Sequence, residues 1–195
     1  GAYTDVNTGI SFYGWSDSTG YRFGMVMPQQ TQSDFIVQLV SPLNSNGAGW
    51  AGIDFGASMV GPLQIVAWPN GKDTVVVAPR VSAGYKARDT TPYSATAITV
   101  TPIAKGTFVN ATHVSATFVC GGCINKDSFS AADVITGSDG SRSFSFAYSL
   151  VAVPDPTNIN TGISDHTSQG EPYGSFAVSL KDAQSAQYTT FAALA

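Results

Sequence analysis

Leu63-Gln64-Ile65-Val66-Ala67-Trp68, then Pro69-Asn70-Gly71-Lys72, then Thr74-Val75-Val76-Val77-Ala78-Pro79-Arg80-Val81 is the stretch that decides the fold. Two strand-like runs, rich in β-branched residues, flank a turn that needs positive φ, which Asn and Gly adopt at little steric cost. This is a β-hairpin, and the segments around it repeat its texture. Ile10 to Trp15, Tyr21 to Met27, Asp34 to Val40, Trp50 to Phe55, Ala95 to Val100, His113 to Cys120 and Ser143 to Val153 are each short and rich in β-branched or aromatic residues. Gly, Pro, Asn or Ser bounds each of them. Strands so spaced predict an all-β fold, a two-sheet antiparallel β-sandwich of immunoglobulin-like type. Within Tyr21-Arg22-Phe23-Gly24-Met25-Val26-Met27, alternation puts Tyr21, Phe23, Met25 and Met27 on one face, toward the core. Leu180 to Ala195, Ala- and Gln-rich without breakers, predicts a short C-terminal helix over one end. Pro154 to Tyr173 has little periodicity and exceeds the usual loop length of compact domains, which marks a functional or disordered segment.

The 195 residues fit one domain spanning 1–195, with no break in composition. Charged residues are 11% of the chain, against roughly 25% in typical soluble proteins. Ser, Thr, Gly and Ala take their place, the texture of a secreted β protein. The net charge of −4 and the lack of a Lys/Arg cluster exclude a nucleic-acid partner and fit a neutral, polyol-like one. No apolar run of about 18 residues occurs, so no membrane span is expected. The chain opens at Gly1 without a charged-then-apolar leader, as a processed, extracellular form would. Its two cysteines form Cys120-Gly121-Gly122-Cys123. No second pair or nearby His completes a zinc site, which leaves a redox dithiol or a short-loop disulfide. A redox motif should open a helix after a strand, yet Val114 to Val119 runs straight in as a strand and no helical pattern follows, which favours the disulfide. A structural disulfide implies an oxidising compartment, and the sequon Asn110-Ala111-Thr112 agrees.

The candidate site rests on few residues. Of the two histidines, His113 alternates with Ser115 and Thr117, away from Val114, Ala116 and Phe118, and is expected to face solvent. His166 lies in Gly162-Ile163-Ser164-Asp165-His166-Thr167, and Met59 in Gly56-Ala57-Ser58-Met59-Val60-Gly61. Taken singly, His166 reads as a solvated loop histidine and Met59 as a gap-filling core methionine. Taken together, thioether and imidazole are the usual axial pair of an electron-carrying, low-spin haem iron. The carboxylates, Asp54, Asp133, Asp139 and the lone Glu171 among them, show no acid and nucleophile pairing. There is no Gly-x-Ser-x-Gly elbow, P-loop or dinucleotide fingerprint, so the domain is not expected to be catalytic on its own. Cys-Gly-Gly-Cys-Ile lacks the histidine of a c-type attachment, so any haem is held non-covalently. The alternative is a haem-free carbohydrate-binding sandwich that uses Trp15, Trp50 and Trp68 as exposed platforms.

Trp50-Ala51-Gly52-Ile53-Asp54-Phe55-Gly56-Ala57-Ser58-Met59, continuing through Leu63 to Gly71, resembles the cytochrome domain of fungal cellobiose dehydrogenases and related extracellular sugar dehydrogenases. Asn110-Ala111-Thr112-His113, Phe118-Val119-Cys120-Gly121-Gly122-Cys123 and Asp165-His166-Thr167 follow in the same order, so the resemblance runs over essentially the whole chain. It implies haem b held between Met59 and His166, and a Cys120–Cys123 disulfide. Arg80-Val81-Ser82-Ala83-Gly84-Tyr85 is similar to the stretch whose tyrosine lies by the haem propionates, which implies that role for Tyr85, with Arg80 and Tyr93 as further candidates. Met25 and Met27 stand where the family often has phenylalanine and read as core substitutions of similar volume. The implied function is an extracellular electron relay. A sugar-oxidising flavin or pyrroloquinoline quinone dehydrogenase domain is the donor, and a copper-dependent lytic polysaccharide monooxygenase is the acceptor.

Overall fold

The computed structural model describes residues 1–30, 32–129, 140–167 and 170–195. Its strands are Ala2–Thr4 (β1), Ser11–Ser16 (β2), Arg22–Pro28 (β3), Phe35–Pro42 (β4), Trp50–Asp54 (β5), Leu63–Asn70 (β6) and Thr74–Ser82 (β7). Thr90–Pro92 (β8), Thr99–Pro102 (β9), Phe108–Val109 (β10), His113–Gly121 (β11), Ser141–Ser149 (β12), Tyr173–Ser179 (β13) and Gln184–Ser185 (β14) follow. They form two sheets. One runs β1-β2-β3-β4-β11-β10, with β9 also on β11 and β14 on β3. The other runs β13-β12-β5-β6-β7-β8. Pairing is antiparallel except at β14, so the sandwich is the architecture the strand spacing predicts. The hairpin holds: β6 pairs with β7 from Leu63↔Val81 to Asn70↔Thr74, and Gly71 turns the chain at φ 76°.

Period-two alternation fills the space between the sheets. Tyr21, Phe23, Met25 and Met27 are fully buried together. From the other sheet, Ala51 and Ile53 of β5, Leu63, Ile65 and Ala67 of β6, and Phe144, Phe146 and Tyr148 of β12 face them. Trp15 stacks on Phe176 with ring centroids 4.5 Å apart. Each Phe, Met, Leu or Ile side chain among them contributes about 1.5–3 kcal/mol on removal from water. The disulfide Cys120–Cys123 closes at the end of β11, inside this core.

Several expectations are corrected. The strand placed at Ala95 to Val100 lies later, at Thr99–Pro102. β12 ends at Ser149, because Leu150 N–H donates to the Glu171 carboxylate instead of continuing the ladder (2.9 Å). β13, unanticipated, forms one edge of the sheet against β12. The terminal helix shrinks to Tyr188–Ala192, with Tyr188 and Phe191 buried. His113, expected to face solvent, is half-buried, and the face it shares with Ser115 and Thr117 is covered: the turn at Ala104–Gly106 packs over those two, whose hydroxyls meet Gly106 and Gln38.

Candidate cofactor cleft on the outer face of the six-stranded sheet

The face of the β13-β12-β5-β6-β7-β8 sheet that points away from the core is divided in two. On one half, the residues after β12 fold back as a cover. Trp50, Val66, Trp68 and Ala78 are buried there against Val153. The cover is tied down by Trp68 Nε1–H to Pro156 O (3.0 Å) and by Arg80, whose guanidinium donates to Ile159 O (2.9 Å) and Thr161 O (2.7 Å). Arg80 also lies over the Trp68 ring, 5.5 Å from its centroid.

The other half stays open as a cleft of about 630 Å³, within the usual range for small-molecule and cofactor sites. Its floor is made of small or neutral outward residues: Gly52 and Asp54 of β5, Gln64 and Val66 of β6, Ser145 and Ala147 of β12. Its walls are two loops. The β5–β6 loop brings Ala57, Ser58 and Met59; the β12–β13 loop brings Ile163, Asp165, His166 and Thr167. Tyr85 and Lys86 stand at the rim.

Both loops are braced. Gln64 Nε2–H donates to the Met59 carbonyl (2.7 Å), and its side chain also reaches Asp54. Burial lifts the Asp54 carboxyl to about 8 despite the opposing bonds from Gln64 and Ser145. Burial thus favours the neutral acid on the floor of the cleft. Ala87 N–H donates to Asp165 Oδ1 (2.7 Å), joining the histidine loop to the segment that carries Tyr85. The His166 ring rests against Tyr173, centroids 4.6 Å apart. Burial lowers its pKa, against the pull of Asp165 and Glu171, which leaves it neutral at pH 7, the form that ligates metals. Among the described residues its Nδ1 is buried without a hydrogen-bond partner.

Met59 and His166 are thus brought to one cleft, with Tyr85 at its edge, 73% exposed and 3.5 Å from Ser58 Oγ through its hydroxyl. Arg80 and Tyr93 are not among its lining residues. Arg80 is 1% exposed and holds the cover, and the Tyr93 hydroxyl donates to Asp127 Oδ2 (2.7 Å). The sugar platforms of the alternative reading are not platforms: Trp50 and Trp68 are buried and Trp15 is stacked on Phe176. Asp54 and Gln64 were missed from sequence, although alternation puts both on the face opposite Ile53 and Ile65. Asp133 and Asp139 lie outside the described residues.

The donor set fits a macrocyclic iron. Among the described residues no group of three or more His, Cys, Asp or Glu side chains could cage a bare metal ion. One thioether and one neutral imidazole suit an iron that brings its other ligands with it. Fold and site together define a β-sandwich with a cleft of cofactor size on the outer face of one sheet. The cytochrome domain of cellobiose dehydrogenase matches residues 3–190, and this chain belongs to that family. A solved relative is the cytochrome domain of Myriococcum thermophilum cellobiose dehydrogenase, 28% identical with a TM-score of 0.81, over 100% of this chain and 95% of that one. The protein is accordingly an electron-transfer cytochrome domain, of a family that carries haem and works beside a catalytic dehydrogenase domain. Among the described residues no helix is long and apolar enough to cross a membrane.

Proposed function

We propose that the cleft takes a non-covalent haem b, with Met59 and His166 as its axial ligands. The observation that carries this is the convergence of the two loops on one neutral-floored cleft, each loop fixed by its own hydrogen bonds. Haem b, when bound, supplies a one-electron Fe(III)/Fe(II) couple. The thioether of Met59 is a soft, weak donor that favours the reduced state relative to a second imidazole. Held by both Met59 and His166, the iron would have no site left for substrate, and the domain's work would be relay. Gly52, Val66 and Ala147 give the macrocycle a surface without charge, while the Tyr85 hydroxyl and Lys86 ammonium at the rim offer donors to carboxylate groups.

The electrons come from a sugar-oxidising flavin or pyrroloquinoline quinone dehydrogenase domain and pass to a copper-dependent lytic polysaccharide monooxygenase, outside the cell. Family membership supports this reading, as does the disulfide, a bond of oxidising compartments. Asn110 is exposed, and its Oδ1 accepts from Thr112 N–H (2.9 Å) in a surface turn open to glycosylation. Carbon monoxide tests the closed coordination. Added to the reduced, haem-loaded domain it should leave the visible spectrum unchanged; immediate formation of a carbonyl adduct would show an open axial position and refute the ligand pair.

A further inference from the structure

Ser149, the last residue of β12, stands directly across from Trp50 of β5. From this cross-strand pair a chain of hydrogen bonds runs out to the histidine loop. Trp50 Nε1–H donates to Ser164 Oγ (3.0 Å), Ser164 O–H to Ser149 Oγ (3.2 Å), and Ser149 O–H to Glu171 Oε1 (2.9 Å). Leu150 N–H gives the same carboxylate oxygen a second bond. Every donor points the same way, the arrangement in which successive bonds strengthen one another, and the series ends on a carboxylate. Trp50, Ser149 and Glu171 are each less than one-tenth exposed. The two loop residues it holds, Ser164 and Glu171, lie on either side of His166 in the chain.

We infer that Glu171, acting through Ser149 and Ser164, is the positioning residue that presets His166 toward the cleft. Glu171 is not a ligand. It is the terminal acceptor that anchors both flanks of the ligand's loop to the rigid end of the β5–β12 pair, so that the loop is already ordered when the cofactor binds. The role rests on the reading of His166 as an axial ligand, but the anchoring itself is a property of the chain alone.

The test compares Glu171→Leu and Ser149→Ala, which cut the chain at two places, with Glu171→Gln, which keeps an oxygen at the acceptor position. In the haem-free protein, hydrogen exchange at the loop's anchor, read at the Trp50 indole N–H that Ser164 Oγ accepts, should accelerate about tenfold in Glu171→Leu and Ser149→Ala, the equivalent of one hydrogen bond lost, while core strands exchange as in wild type. In the haem-loaded protein the same two variants should release haem about tenfold faster and gain high-spin absorbance. Glu171→Gln should restore both properties. Unchanged exchange at this anchor in Ser149→Ala, or exchange raised evenly over the whole sandwich, overturns the proposal and leaves Glu171 a general stabiliser. If wild type itself takes up no haem, the ligand reading fails, and anchor exchange in the haem-free variants still decides the anchoring.

Discussion

The Met59 carbonyl is pinned by Gln64, so a replacement side chain at this position starts from the same backbone. Met59→His is expected to lower the midpoint potential substantially, because imidazole donates more strongly than thioether; an unchanged midpoint in a potentiometric titration removes Met59 from the ligand pair. Asp54 makes a second prediction, about pH. Its carboxyl titrates near 8 in the folded chain against about 3.8 ordinarily, so the folded state binds a proton that the unfolded state has released. Its contribution is fully present below pH about 4 and is lost as pH rises through about 8. Asp54→Asn should raise Tm of the haem-free domain at pH 8 and converge with wild type near pH 4; parallel Tm curves would contradict the assignment. Residue chemistry was only partly legible in the sequence. Trp50, Trp68 and Arg80 have exposed-type side chains and lie buried, because their cover is a loop without periodicity, which no strand pattern announces.

At the scale of elements, β3, β5, β6 and β11 were readable because alternation and β-branched residues speak together there. β13 was not: Tyr173-Gly174-Ser175-Phe176-Ala177-Val178-Ser179 carries Gly, Ala and two serines, and its pairing with β12 comes from tertiary contact. The sheet's outer face is what the loops carrying Met59 and His166 share, and Gly52 keeps its floor low. A Cβ at Gly52 would meet nothing nearer than 3.5 Å, so a larger side chain can be accommodated by the strand and would extend into the cleft. Gly52→Leu should keep the far-UV circular dichroism of wild type and lose haem uptake in a spectrophotometric titration. Full-affinity uptake by this variant would mean that the cofactor does not lie on β5.

For the molecule as a whole, the main core lies between the sheets and the cleft lies outside them. Haem held in that cleft is expected to stabilise by mass action rather than by completing the core. The haem-free domain should unfold in one cooperative transition, with Tm rising as haem is added; a haem-free state with no cooperative transition would show that the cofactor is part of the core. The pairing of Met59 with His166 is the feature least open to residue patterns, since no periodicity links two loops from different hairpins. Family resemblance supplied it, and the fold brings both side chains to one cleft. The most direct measurement is the visible spectrum of the haem-loaded domain, oxidised and then dithionite-reduced, for wild type, Met59→Ala and His166→Ala. Sharp low-spin α and β bands in reduced wild type, replaced by high-spin absorbance or lost in each variant, are expected. Bands that persist unaltered in either variant would contradict a Met59/His166 cytochrome.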